Sequence, residues 1–431
     1  MRSIANARLL AFEVLAEVET NGAYSNLILP KYLSASSLSK ADKALAAELV
    51  YGSLRLKGLH DRFIAQVSDR DISAIDAKIL ILLRLGIHQL KQLRVPSHAA
   101  IYETVELAKR VAGRSASSFI NALLRAIDSI SLEDLPNTGD SISRLANKYS
   151  HPEWIVSAYF DLLKTEDQVA ALLEANNTPA KPTLIAWPGF SDVEELVSAG
   201  ASPLVGSAAA AEFDGDPGEL AAIRQRRAGV QDLGSQIVVE EFFKTYEPNL
   251  RWLDLCAGPG GKAAYLSALI AQSSGELVAN EVSAERAKLV KQVMKTGQVT
   301  TFDGRSLPQD LGNFDRILLD APCSGIGALR RRAEVRWRRT LQDLKNLTQL
   351  QEELLDAAAE RLQPSGVLAY VTCSPHQAET TFQIRSFLKR HPNFELEKIN
   401  DERANDERYL QLWTHTHGCD AMFMALLRKR D

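Results

Sequence analysis

Apolar positions recur every three to four residues through the first third of the chain. Ala7, Leu10, Ala11, Val14, Leu15 and Val18 fall on one face of a 3.6-residue helix, and similar stripes run through 45–56, 75–93 and 101–111. Helices are therefore expected from residue 3 to about 130, the last over 115–130, forming an all-α bundle. The run Glu-Asp-Leu-Pro-Asn-Thr-Gly-Asp at 133–140 is turn chemistry and sets a boundary. Beyond it, a helical stretch over 152–175 stops at Asn176-Asn177-Thr178-Pro179. Short apolar runs, a helix-like 193–199 and Gly/Asp-rich turns then predict a small α+β region up to residue 232. From 233 onward the pattern changes again. Seven short apolar runs, at 251–256, 276–282, 299–302, 314–321, 366–373, 394–399 and 422–427, alternate with helical stretches. Strands separated by helices imply βαβ units and a mostly parallel sheet. Three regions are expected: an all-α domain at 1–138, a helical linker with a small α+β subdomain at 139–232, and an α/β domain with a seven-stranded sheet at 233–431.

Bulk properties narrow the class. The 431 residues are 45% hydrophobic and 24% charged, a globular composition long enough for two or three domains. No apolar run approaches the roughly 18 residues of a membrane span, and the first residues lack the apolar core of a secretory signal. A cytoplasmic protein with no membrane association is expected. The four cysteines, at 256, 323, 373 and 419, are far apart with no Cys-x-x-Cys pair, so reduced thiols and no metal site are expected. Net charge is −4, yet residues 1–127 carry 17 Lys plus Arg against 11 Asp plus Glu. A basic segment on an otherwise acidic chain hints at a polyanionic partner, although solvated helix faces also explain such a bias.

The first α/β strand runs into Leu253-Asp254-Leu255-Cys256-Ala257-Gly258-Pro259-Gly260-Gly261-Lys262, followed by a helix over 263–271. Glycines at such a turn let the backbone approach a ligand, and the helix N-terminus offers unpaired N–H groups. A Walker A loop would place its first glycine on Cys256 and its hydroxyl on Ala263, and fails at both. A dinucleotide fingerprint lacks a glycine at 263 and matches in part. The loop of class I methyltransferases, which hold S-adenosylmethionine, is the third reading. There, acids at successive strand ends complete the site: Glu281 for ribose hydroxyls, Asp303 for the adenine amine, and Asp320 near the fourth strand end. One such acid alone is more often a helix cap, but three in succession favour a ligand.

Two cysteines also sit at strand ends: Cys323 in Asp320-Ala321-Pro322-Cys323-Ser324-Gly325, and Cys373 in Thr372-Cys373-Ser374-Pro375. A free cysteine usually packs as a small hydrophobe. The carboxyl ends of strands in open α/β sheets are, however, where ligands bind, and a thiolate there can add to an electrophilic carbon. The chemistry of these residues does not decide which cysteine is the nucleophile.

With these motifs together, the chain closely resembles the RNA (cytosine-5)-methyltransferases, and more narrowly the bacterial RsmB type, also called the Fmu or Sun family. The resemblance covers nearly the whole chain: a domain similar to the antitermination factor NusB at the N-terminus, a middle subdomain, and a Rossmann-like class I methyltransferase domain. Matching runs are 256–262, Asp303-Gly304-Arg305, 320–325, Thr372-Cys373-Ser374, Val230-Gln231-Asp232 with Ser235-Gln236, and Leu350-Gln351. The resemblance implies S-adenosyl-L-methionine as cofactor, bound by residues 256–262, Glu281, Asp303 and Asp320, and small-subunit (16S) ribosomal RNA as partner. It further implies Cys373 as the nucleophile at carbon 6, Asp320 at ring nitrogen 3, and Cys323 assisting release of the methylated base. The same chemistry on transfer RNA is the alternative, followed by a non-catalytic RNA-binding or assembly protein. The RNA-binding role is expected of the N-terminal domain. Arg330-Arg331-Arg332 and Arg336-Trp337-Arg338-Arg339 are expected to meet phosphates and bases, Cys419 to pack, and the protein to be a monomer. Where the family carries Pro-Asp within that basic run, this chain has Ala333-Glu334, and its Leu-Arg-Val-Asn pattern appears as Leu184-Ile185-Ala186-Trp187.

Overall fold

The structure, a computed structural model, describes residues 6–405 and 408–431; the first residues of the expected leading helix, 3–5, lie outside them. The chain divides into two compact units. One takes Met1–Thr178 together with Leu329–Arg338, the other Pro179–Ala328 together with Arg339–Asp431.

The first unit is helical. Ala7–Thr20, Ser25–Ala35, Lys40–Arg55, Lys57–Val67, Ala77–Lys91, Ser97–Val111 and Arg114–Asp128 form the bundle. Several starts are set by polar caps: Asn6, Ser39 and Asp76 each accept a backbone N–H of the first turn. The 3.6-residue stripes close on a core in which Leu10, Val14, Leu49, Leu82, Leu83, Ile120 and Leu124 are fully buried. Three further helices follow, Ser141–Tyr149, Glu153–Leu163 and Glu166–Asn177. The single stretch expected over 152–175 is two helices because Lys164 turns left-handed, with φ 64°, and Thr165 then caps the next helix. Of the region 139–232, expected as a helical linker with a small α+β subdomain, the helices up to Asn177 lie in this unit, while the strands and the short helices Val193–Ser198 and Ala221–Arg224 lie in the other.

Leu329–Arg338 is embedded in the helical unit. Ala333 joins the bundle core, and the Glu334 carboxylate accepts the Ser25 N–H and hydroxyl at 2.9 and 3.0 Å. Arg336 is fully buried. Its guanidinium donates to the carbonyls of Arg55, Ser150 and Asn176 and, at 2.8 Å, to Asn177 Oδ1. Trp337 Nε1 donates to the Leu54 carbonyl at 2.7 Å.

The second unit holds two sheets. The smaller is antiparallel, with Ser202–Pro203, Ala210–Glu212, Thr183–Ala186 and Ala228–Val230 side by side in that order. The larger contains the seven expected strands, here β1 (Leu250–Asp254), β2 (Gly275–Asn280), β3 (Gln298–Thr300), β4 (Phe314–Asp320), β5 (Leu362–Thr372), β6 (Phe394–Glu397) and β7 (Phe423–Lys429). Among the described residues a short eighth, Leu410–Gln411, pairs with β7. Their order is β3-β2-β1-β4-β5-β7-β6, parallel from β3 to β5 and antiparallel at β7 and β6. Ile317, Leu318 and Leu319 of β4, and Val367 to Val371 of β5, are fully buried, as strands covered on both faces require. The strand order reverses beside β1, and in open α/β sheets that switch point opens a crevice at the strand carboxyl ends. Among the described residues no helix is long and apolar enough to cross a membrane.

Candidate active site

Five parallel strands deliver the candidate residues to one edge of the sheet. After β1 the loop carrying Cys256 and Gly258 meets the end of β2, where Glu281 Oε2 accepts the Gly258 N–H and Oε1 the Ser283 N–H, each at 3.0 Å. The contact is close enough that a Cβ on Gly258 would fall 2.1 Å from Glu281 Oε2, so any side chain there would displace the Glu281 carboxylate. The helix Gly261–Ala271 then starts with its first N–H groups directed back toward the loop. Asn280 staples the ends of three strands together. Its Nδ2 donates to the Leu255 and Phe302 carbonyls, while its Oδ1 accepts from the Thr300 hydroxyl and the Phe302 N–H. Asp303, beyond β3, pairs with Arg305 at 2.7 Å, and Arg305 also reaches Glu353 at 3.0 Å. Hydrogen bonds from Arg305 hold the Asp303 carboxyl down to about 2.

At the end of β4, Asp320 Oδ2 meets Lys262 Nζ at 2.7 Å. Burial disfavours the Lys262 ammonium, but attraction to Asp320 outweighs it and the pKa is raised; Cys373 and Asp254 add to that attraction. Cys323 and Cys373, on the loops after β4 and β5, lie with their sulfurs 3.3 Å apart and are both partly exposed. The hydrogen bond to Cys373, then burial, then nearby negative charge push the Cys323 thiol well up. Cys256 is also pushed up, chiefly by burial.

Behind the thiols is a buried polar network. Ser324 and Ser374, each the residue after a cysteine, both bond to the carboxylate of Glu379, which is fully buried. Gln351 donates to the same carboxylate and to the Pro322 carbonyl. Gly327 donates to the Cys373 carbonyl at 2.9 Å and accepts from Ala421 at 2.8 Å; a Cβ there would lie 2.1 Å from the Ala421 carbonyl oxygen.

The structure thus brings together Cys323 with Cys373, Lys262 with Asp320, and Gly258 with Glu281, while Asp303 is engaged by Arg305. Cys419 is fully buried. The expectation for the basic cluster needs correction: Arg336 is buried on backbone carbonyls of the helical unit and cannot reach a phosphate. Arg338 likewise donates to the carbonyls of Val18, Gly22 and Ala23. Glu379 and Asn280 escaped the sequence reading. Gln351 was singled out by resemblance, but its acidic partner is apparent only once the two cysteine loops are adjacent.

A doubly wound sheet in this strand order, with a glycine loop facing an acid at the end of β2, defines a Rossmann-like methyltransferase fold. Residues 244–428 match the family described as 16S rRNA methyltransferase RsmB/F, and residues 5–129 match the NusB family. A Mycobacterium tuberculosis protein named only as a methyltransferase is 41% identical, over 99% of this chain and 97% of its own length. Ribosomal RNA small subunit methyltransferase B of Photorhabdus laumondii is 32% identical over 100% of both chains, and that of Vibrio vulnificus 31% over 99% and 100%. The crystal structure of PH0851 has the same fold, with a TM-score of 0.84 at 22% identity over 99% of both chains. The chain belongs to the RsmB/F family of ribosomal RNA methyltransferases. It is an RNA methyltransferase whose methyl donor is S-adenosyl-L-methionine, and the glycine loop with its facing carboxylate suits that donor: the Gly258 backbone comes where a side chain would fill the space.

Proposed function

We propose that this enzyme methylates carbon 5 of a cytosine in small-subunit (16S) ribosomal RNA through a covalent adduct between Cys373 and carbon 6 of the ring. The observation that carries this reading is the pair of sulfurs 3.3 Å apart at the ends of adjacent parallel strands, next to the Asp320–Lys262 pair. Carbon 5 of cytosine is a weak nucleophile. Addition of the Cys373 thiolate to carbon 6 makes carbon 5 enamine-like, able to attack a methyl sulfonium. Electron density released by the addition moves toward nitrogen 3, where Asp320 holds the ring through a proton. The Lys262 ammonium fixes Asp320, and Cys373 adds to the negative charge that holds the ammonium in place. After transfer, carbon 5 carries both the methyl group and its original hydrogen; release requires loss of that proton to solvent, its bond pair re-forming the carbon 5–carbon 6 double bond as the carbon 6–sulfur bond breaks and Cys373 leaves as a thiolate. Cys323 assists this elimination. S-adenosyl-L-methionine supplies the electrophilic methyl group. Residues 256–262, Glu281, Asp303 and Asp320 hold it, with Glu281 toward the ribose hydroxyls and Asp303 toward the adenine amine. Both faces of the ring must be reached, so the base is taken unstacked.

The test is product identity. Full-length protein, S-adenosyl-L-methionine and either protein-free 16S ribosomal RNA or bulk transfer RNA are incubated, and the RNA is digested to nucleosides for mass spectrometry. We expect 5-methylcytidine in the ribosomal RNA. A methyl group on another atom, or 5-methylcytidine in transfer RNA alone, would overturn the assignment.

A further inference from the structure

We infer that Glu379 is the positioning residue that fixes the distance between the two reacting thiols, an inference that rests on the two-cysteine mechanism proposed above. Glu379 lies in a short 3-10 turn after β5. It acts on the residues behind the two thiols. Glu379 Oε1 accepts the Ser324 N–H at 2.7 Å and Gln351 Nε2 at 3.1 Å. Oε2 meets the hydroxyl of Ser374 at 2.6 Å and that of Ser324, and these two hydroxyls lie 3.1 Å apart. Ser324 follows Cys323 directly, and Ser374 follows Cys373. One carboxylate therefore clamps both cysteine loops, which are 50 residues apart in the chain.

The clamp is itself anchored. The Tyr370 hydroxyl donates to the Glu379 carbonyl at 2.8 Å, and the Glu379 N–H to the His376 carbonyl at 2.9 Å. Gln351 ties the same carboxylate to the Pro322 carbonyl, on the other side of Cys323. A fully buried acid that accepts from four donors is costly to disturb, because each donor it leaves would be stranded away from water. Such rigidity matters for this chemistry in particular. One thiol adds to the ring and the other serves its release, so both must reach neighbouring atoms of one base, and a misplacement of about 1 Å costs on the order of 100-fold in rate. Glu379 is also among the negative charges that keep the Cys323 thiol protonated.

The experiment compares full-length wild type with Glu379→Ala and Glu379→Gln in three measurements: steady-state methylation, thermal unfolding, and titration with phenylarsine oxide. That arsenical bridges two close thiols and so reads their spacing without RNA or cofactor; Cys323→Ala serves as its blank. We expect Glu379→Ala to lower kcat by about 10- to 100-fold, with KM for S-adenosyl-L-methionine changed less than about twofold, and to weaken arsenical binding about tenfold. Glu379→Gln still offers an oxygen to the Ser324 N–H and is expected to recover most of both losses. Wild-type kcat or wild-type arsenical binding in Glu379→Ala would overturn the inference. Should Glu379→Ala fail to fold, Ser374→Ala, which removes one arm of the clamp, decides by the same two readouts. Should the cytosine reaction itself prove wrong, the arsenical titration still decides on Glu379.

Discussion

Asp254, the last residue of β1, has its side chain fully buried near Asp320 and Lys262. Burial, reinforced by the nearby charge of Asp320, raises its pKa from 3.8 to about 8. A carboxyl group that titrates higher in the folded than in the unfolded protein stabilises the fold fully only below the unfolded value. That contribution is then lost as pH rises from about 4 to about 8. Asp254→Asn removes the titration. In urea unfolding without cofactor, the variant should gain on wild type as pH goes from 5 to 8, by on the order of 1 kcal/mol per pH unit. A difference that stays constant with pH would show that Asp254 is ionised throughout. At this scale the sequence marks reactive residue types well. Cysteines and acids at strand ends carry their meaning in their spacing, but partners distant in the chain do not. Asp254 was read as part of a loop motif, and nothing along the chain announces that its carboxyl is buried beside Asp320.

The elements were legible because their apolar pattern follows their burial. Each strand of the larger sheet with an uninterrupted apolar run, such as Ile317-Leu318-Leu319 or Val367 to Val371, was expected where it stands. Boundaries were less so: β5 begins at Leu362, four residues before the expected start, because Leu362 pairs with Phe314 across an irregularity in the β4 ladder. Local backbone conformation was similarly hidden at Lys164, where a non-glycine residue turns left-handed and splits a helix. The glycine loop after β1 is the element on which cofactor binding is predicted to depend most sharply. Gly258→Ala forces a Cβ against the Glu281 carboxylate. It should weaken S-adenosyl-L-methionine binding by about tenfold or more, roughly 1.4 kcal/mol, as read by calorimetry, while the unfolding temperature of the cofactor-free protein moves little. Unchanged affinity would remove this loop from the cofactor site.

Over the whole molecule, the division into units could not be read from contiguous stretches, since Leu329–Arg338 belongs to the helical unit although it is flanked by methyltransferase strands. Composition argued the other way: five arginines within 330–338 look like a nucleic-acid surface, and only packing reveals that Arg336 fills a buried site lined with carbonyls. Arg336→Met should destabilise the protein by about 3 kcal/mol, the cost of leaving several buried acceptors without a donor. It should also leave the salt dependence of RNA binding unchanged, whereas loss of a phosphate contact would lower the slope of log K against log salt by about 1. A shallower slope with unaltered stability would restore the phosphate reading.

The most direct measurement is the capture of the covalent complex. Full-length Cys323→Ala, Cys373→Ala, the double variant and wild type are incubated with 16S ribosomal RNA and S-adenosyl-L-methionine, and the products are separated under denaturing conditions. Cys323→Ala is expected to accumulate a protein–RNA adduct that wild type releases and that the added change Cys373→Ala abolishes. Methylation by Cys373→Ala, or an adduct that forms without Cys373, would contradict the assignment of the nucleophile.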